Sequence, residues 1–242
     1  MSSLPLSVGT RGIVLADVTF GYGEVLVLDE ESLAVPEGGV VVVTGENGVG
    51  KSTLLYLCAG LVAVAPYPGV VTLAGVRPER LSPSALFRRG VRRGFVFQQG
   101  SLLANLPALS NVGLALRYHA DLLGLDEPAI DARSRAALDR VGVGRADYHA
   151  LPAHLSYGVR KRVAIARALA LDPNFAFFDD PDAGLDLESA GVVAGVLEAL
   201  RDDPRVTVMV ASNHRALLDR LGVQPLALEG GKLLARASRS VA

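Results

Sequence analysis

Apolar positions along the chain fall into short runs punctuated by glycine and proline, and the runs alternate between strand and helix spacing. Residues 12–20 (GIVLADVTF) alternate in part and stop at Gly21-Tyr22-Gly23, which predicts a strand. Residues 25–33 predict a second strand, closed by the Pro36-Glu37-Gly38-Gly39 turn. Gly39-Val40-Val41-Val42-Val43-Thr44 is a run of β-branched residues, and Leu54-Leu55-Tyr56-Leu57-Cys58-Ala59-Gly60 has helical character. Residues 69–75 predict a further strand, and Gly94-Phe95-Val96-Phe97 a short buried one. From about residue 101 to residue 154 the chain is rich in Leu and Ala. That predicts helices broken at Pro107, Gly124, Pro128, Gly142 and Pro152. Residues 160–171 predict an amphipathic helix. Phe175-Ala176-Phe177-Phe178 is continuously apolar, as expected of a strand buried on both faces. A helix over 188–200, a buried strand over 206–210 and a strand pair around Gly230-Gly231 complete the pattern. Strands alternating with helices make an α/β fold with a mostly parallel sheet the expectation. The core is placed at about 1–97 and 172–242, and residues 98–171 are a helical insertion.

A chain of 242 residues suffices for one large α/β domain, or one domain carrying a subdomain. Net charge is −1, so no global basic field points to nucleic acid. The single cysteine, Cys58, excludes an internal disulfide framework and fits a small core residue in a reducing compartment. Residues 1–10 lack the charged-then-apolar order of a signal peptide. Residues 52–76 carry no charge and exceed the length of a bilayer span, but Pro66-Tyr67-Pro68-Gly69 breaks them. A buried helix, a turn and a strand are therefore expected there. Residues 77–93 hold Arg77, Arg80, Arg88, Arg89, Arg92 and Arg93 against Glu79 alone. Two readings stand: a solvated face, or a patch that meets an acidic partner or lipid headgroups.

Chemistry concentrates at Gly45-Glu46-Asn47-Gly48-Val49-Gly50-Lys51-Ser52-Thr53, which joins the valine run to the Leu54 helix. Gly-x-x-x-x-Gly-Lys-Ser between strand and helix is a phosphate-binding loop. Glycines Gly45, Gly48 and Gly50 let backbone N–H groups wrap a phosphate chain, and the helix N-terminus adds its positive end. Lysine occurs only at Lys51, Lys161 and Lys232. Lys51 supplies a charge for the β- and γ-phosphates, and the Ser52 hydroxyl can ligate Mg²⁺. Asp179 ends the apolar Phe175 run at the strand edge where ligands of open α/β sheets sit, placed to hold Mg²⁺ through water.

With these motifs in order, nearly the whole chain resembles the ATPase subunit of ATP-binding-cassette (ABC) transporters. Residues 45–53 match the Walker A loop, and Gln98, after Phe95-Val96-Phe97, matches the Q-loop glutamine. Leu155-Ser156-Tyr157-Gly158-Val159 occupies the signature position before Arg160-Lys161-Arg162. Residues 175–179 match Walker B, Ala183-Gly184-Leu185-Asp186 the D-loop, His214 the switch histidine and Tyr22 the A-loop aromatic. The resemblance implies a P-loop core with an antiparallel β subdomain, an α-helical lobe, and a head-to-tail dimer, homomeric or heteromeric, on integral-membrane permease subunits. ATP and Mg²⁺ are the implied ligands. The implied place is the cytoplasmic face of the cell membrane, reached through the permease.

Implied roles follow residue by residue. Tyr22 stacks on adenine, with Asn47 and Thr53 in the nucleotide loop. Gln98 senses Mg²⁺. Ser156 and the Gly158 N–H reach the partner's γ-phosphate. His214 holds that phosphate or the attacking water. For Tyr22, Gln98 and His214 a plain alternative also stands: exposed turn aromatic, loop residue and surface histidine. His119, His149 and His154 lack metal-ligand spacing and are expected to be structural or exposed.

Two positions depart from the pattern. Asp180 stands where the family usually has the Glu that orients water, and Tyr157 and Val159 interrupt the usual Leu-Ser-Gly-Gly-Gln. The shorter Asp180 implies slower hydrolysis. Tyr157 implies either a weakened composite site or a tolerated ring turned away from the nucleotide. The stretch from Phe97 to His119 is similar to ATPases of Mce/Mla-type lipid transporters, and also to those of lipoprotein release and macrolide export. A soluble relative acting in iron–sulfur assembly is the remaining alternative.

Overall fold

The computed structural model describes residues 11–235. The reading of residues 1–10 lies outside them. Strand β1 (Ile13–Tyr22) pairs antiparallel with β2 (Val25–Val35), and β3 (Val40–Thr44) begins the central sheet. Helix α1 (Lys51–Ala59) starts directly on the phosphate loop and stops at Gly60, whose φ of 66° is left-handed. Strand β4 (Val70–Leu73) then adds to β1, giving a three-stranded antiparallel sheet ordered β2-β1-β4.

The chain continues through α2 (Pro83–Arg88), capped by the Ser82 side chain, into β5 (Arg93–Val96). Four helices follow: α3 (Ala108–Tyr118), α4 (Ala120–Leu123), α5 (Glu127–Arg140) and α6 (Tyr157–Leu169). Then come β6 (Phe175–Asp179), α7 (Leu187–Arg201), β7 (Thr207–Ala211), α8 (Arg215–Leu221), β8 (Leu226–Glu229) and β9 (Lys232–Ala235). The second sheet has six strands in the order β5-β6-β7-β3-β8-β9, with all but β9 parallel to their neighbours.

Every residue of β6 and β7 is buried, as parallel strands covered on both faces require. The side-chain period of two sorts the strands into two cores. Val42, Ala176, Phe178, Val208 and Val210 face α3, α5, α6 and α7. Val41, Val43, Phe175, Phe177 and Met209 face α1 and the antiparallel sheet. Cys58 lies in this second core, fully buried.

Some details differ from the sequence reading. Helix α6 begins at Tyr157 rather than Arg160, because the Ser156 hydroxyl accepts from the Val159 N–H at 3.2 Å and caps it. Helix α8 was not expected; seven residues before Gly222 carry little periodic signal. Residues 52–76 resolve into α1, a turn and β4, and no helix among the described residues is long and apolar enough to cross a membrane. The basic stretch is partly consumed by the fold. Arg93 reaches the Ala59 carbonyl, and Arg92 Nε donates to the Asp172 carbonyl at 2.8 Å.

Candidate nucleotide site

The phosphate loop leaves the end of β3 between β7 and β8. Gly45, Gly48 and Gly50 take φ values of 149°, 82° and 112°, the region that favours glycine. A β-carbon at Gly50 would lie 2.3 Å from Val27 Cγ1, so the β1–β2 hairpin presses on the loop. Asn213, just beyond β7, fastens the loop from the other side. Its Oδ1 accepts from the Gly45 N–H at 3.0 Å, and its Nδ2 donates to the Gly45 carbonyl at 2.7 Å. Lys51 is 6% exposed and donates to the Gly45 and Glu46 carbonyls at 2.8 and 3.0 Å.

The strand-end carboxylate meets this loop. Ser52 Oγ donates to Asp179 Oδ1 at 2.9 Å, and the Tyr56 hydroxyl donates to Oδ2 at 3.4 Å. Burial pushes the Asp179 carboxyl above the usual carboxylate range, against the Ser52 hydrogen bond, which lowers it. Gln98 Nε2 donates to Asp180 Oδ2 at 3.3 Å. Lys161, buried in α6, donates to the Asp180 carbonyl at 3.0 Å and also reaches the Gln98 carbonyl. Burial lowers the Lys161 ammonium from its ordinary value, and Asp179, Asp180 and Asp182 oppose that shift. Burial also raises Asp180, with the Lys51 charge opposing it.

A cavity of about 360 Å³ opens between these groups, lined by Asn47, Gly48, Gly50, Lys51, Ser52, Thr53, Gln98 and Asp180. The donors around Asp179 are a hydroxyl, carboxylates and an amide. That set fits a hard cation such as Mg²⁺, which takes its other ligands from water and phosphate. Among the described residues no cluster of three or more His, Cys, Asp or Glu forms a self-sufficient metal cage.

The remaining sequence-predicted residues do not line this cavity. Tyr22 is 53% exposed at the end of β1, edge-on to Phe20 with centroids 5.1 Å apart. His214 Nδ1 pairs with Asp182 Oδ2 at 2.8 Å. Ser156 caps α6, and Gly158 packs that helix on α7: a β-carbon there would sit 2.3 Å from Ser189 Oγ. Tyr157 lies against its own chain's Gly184, where an added β-carbon would be 3.4 Å from the ring, and Arg160 stacks over it at 5.9 Å. His119 is buried and stacked on Phe87 at 4.6 Å, while His149 and His154 are exposed. Sequence reasoning missed Tyr56, Lys161, Asp182 and Asn213. Only the last two carried a signal, as polar residues just beyond the ends of buried strands.

A phosphate loop, a strand-end carboxylate beside it and a parallel sheet define a P-loop protein that binds a nucleoside triphosphate. The chain belongs to the ABC transporter family, whose profile matches residues 28–183. The intermembrane phospholipid transport system ATP-binding protein MlaF of Escherichia coli K12 is 33% identical over 199 residues, covering 82% of this chain and 72% of MlaF. The methionine import ATP-binding protein MetN 1 of Rhodopseudomonas palustris is 36% identical over 214 residues, covering 87% of this chain and 55% of MetN 1. The dimeric structure of a post-hydrolysis state of the ATP-binding cassette MJ0796, bound to ADP and Pi, superposes with a TM-score of 0.80 at 30% identity, covering 91% of this chain and 96% of that one. The chain is an ABC-type ATPase of membrane transport, and the fold expected from its sequence is the fold observed.

Proposed function

We propose that this chain binds Mg-ATP between its own phosphate loop and the signature segment of a second ATPase subunit, and so powers a permease that moves phospholipid. The observation that carries the lipid assignment is the likeness to MlaF, a phospholipid-transport ATPase, across 72% of its length. In this reading Lys51 and the loop N–H groups of Asn47, Gly48 and Gly50 hold the phosphates, and Thr53 lines the same cavity. Tyr22 stacks on the adenine, a contact worth about 1–3 kcal/mol. Ser52 and Asp179, with Gln98, would hold Mg²⁺, which would supply charge neutralisation for the phosphates. Asp180 orients the attacking water, and its short side chain makes turnover slow. His214 holds the γ-phosphate.

Ser156 and the Gly158 N–H serve the partner's nucleotide from the start of α6. Two exposed groups beside them support a second subunit docking there: Leu187 is 94% exposed and Tyr157 is 39% exposed. The core at about 1–97 and 172–242 carries the nucleotide, and residues 98–171 form the helical lobe that meets the permease. The complex then sits on the inner face of the cell membrane, with ATP from the cytoplasm. A second reading, amino-acid import, has the 36% identity with MetN 1 in its favour.

Purifying the tagged chain with the membrane proteins that accompany it tests the proposal. Reconstituted in vesicles containing fluorescent phospholipid and external labelled methionine, the complex is expected to move lipid on Mg-ATP addition and to stop with Lys51→Ala. ATP-driven methionine uptake without lipid movement overturns the lipid assignment. Recovery of soluble scaffold proteins alone overturns the transport reading.

A further inference from the structure

Asp182 is a buried carboxylate that the nucleotide site described above leaves unused. It lies in the hydrogen-bonded turn after β6, where Ala183 N–H donates to the Asp180 carbonyl and Leu185 N–H to the Asp182 carbonyl, both at 3.3 Å. The residue is 5% exposed, yet both carboxylate oxygens are occupied. Oδ2 meets His214 Nδ1 at 2.8 Å, and Oδ1 accepts from Ser212 Oγ at 3.2 Å. Ser212 Oγ in turn accepts from the His214 backbone N–H at 3.1 Å. The result is a closed ring of carboxylate, hydroxyl and histidine that joins the turn after β6 to the segment after β7.

A buried carboxylate is costly unless every oxygen is paired, so the ring is a constrained arrangement. Its effect on the histidine is specific. A carboxylate oxygen 2.8 Å from Nδ1 favours the form protonated at Nδ1 and holds that edge of the ring. Nε2 is left facing away from the carboxylate, and among the described residues no protein hydrogen bond reaches it. Asp182 lies two residues after Asp180, which lines the nucleotide cavity.

The geometry points to Asp182 as the positioning residue that holds His214 with Nε2 toward the γ-phosphate. This rests on the reading of His214 as the group that holds that phosphate or the water. Asp182 then performs for the switch histidine what an orienting carboxylate performs for any catalytic imidazole. A shortened Asp180 makes correct placement of His214 matter more, since water and phosphate are then held by fewer well-reaching groups.

The test compares wild type, Asp182→Asn, His214→Ala and the double variant in the assembled complex, with ¹⁵N NMR of the histidine side chains. Asp182→Asn is expected to lower kcat by roughly tenfold or more, with KM for ATP within about twofold. The His214 signals are expected to lose the Nδ1-protonated tautomer. The double variant should be no slower than His214→Ala. If His214→Ala stops turnover while Asp182→Asn leaves kcat and the tautomer unchanged, the positioning role is overturned and the site reading survives. If His214→Ala itself leaves kcat intact, the reading of His214 falls and the positioning role with it. Should Asp182→Asn fold poorly, Ser212→Ala removes the other arm of the ring, and a tautomer shift with a fall in kcat is again expected.

Discussion

Gln98 Nε2 lies 3.3 Å from Asp180 Oδ2, so the glutamine after β5 and the second carboxylate after β6 already touch across the nucleotide cavity. The contact uses one oxygen of a side chain shorter than glutamate by one C–C bond, about 1.5 Å.

Restoring reach at that position should speed the enzyme. Asp180→Glu is expected to raise kcat severalfold in the assembled complex, with KM for ATP little changed, because the effect falls on water placement and not on nucleotide binding. Steady-state phosphate release measures it. An unchanged kcat contradicts the assignment of slow turnover to the short side chain.

Tyr157 is held by its own chain. Its ring rests on Gly184, with Arg160 stacked above it. Tyr157→Gly should therefore cost stability more than turnover. About 0.5–1 kcal/mol goes with the exposed cation–π contact, and a further ~0.5 kcal/mol with glycine in place of tyrosine in the first turn of α6. Thermal melting should show the loss, while kcat changes less than about threefold. A large rise in kcat with unchanged melting would show that the ring obstructs the composite site instead.

Gly158 is fixed by packing. An alanine methyl would meet Ser189 Oγ at 2.3 Å, and that hydroxyl is held by Asp186 at 3.2 Å. Gly158→Ala is expected to destabilise by about 1–3 kcal/mol. Ser189→Gly in the same chain should recover part of that loss, as measured by urea unfolding. Absence of any recovery would mean that the α6–α7 contact is not what excludes a side chain.

Cys58 offers a pH-dependent readout. Burial pushes its thiol from 9.0 to about 12. At pH 8 the native thiol is therefore neutral and enclosed, and a disulfide reagent should label it only after unfolding. The sign of the stability effect follows. Above about pH 9 the unfolded chain loses this proton while the native chain keeps it, so this contribution falls as pH rises from 9.0 to about 12. Urea titrations at pH 8 and 10 on wild type and Cys58→Ala measure the difference.

Local chemistry was readable from the sequence, and contacts set by sheet register were not. The valine run of β3 and the apolar run of β6 declare themselves because strands buried on both faces need no polar alternation. The Gly-Lys-Ser loop is legible because its residue types are dictated by phosphate geometry. The Asp182–His214 and Gly45–Asn213 contacts depend on β6 pairing with β7 so that Asp179 opposes Ala211, and on β7 lying beside β3. Nothing local in the sequence encodes that placement. Lys161 is similar. Nothing in the Arg-Lys-Arg run distinguishes it from its neighbours, yet it is buried at 1% exposure and ties the Gln98 and Asp180 carbonyls together. Helix α8 leaves no mark in the sequence because seven residues give too few turns for a periodic signal.

Completion of the Mg-ATP site by a second subunit is tested most directly by sedimentation of Asp180→Asn with Mg-ATP. A dimer is expected that retains ATP and hydrolyses it at less than about 1% of the wild-type rate, with Lys51→Ala remaining monomeric. An Asp180→Asn chain that binds ATP, stays monomeric and turns over at the wild-type rate contradicts it.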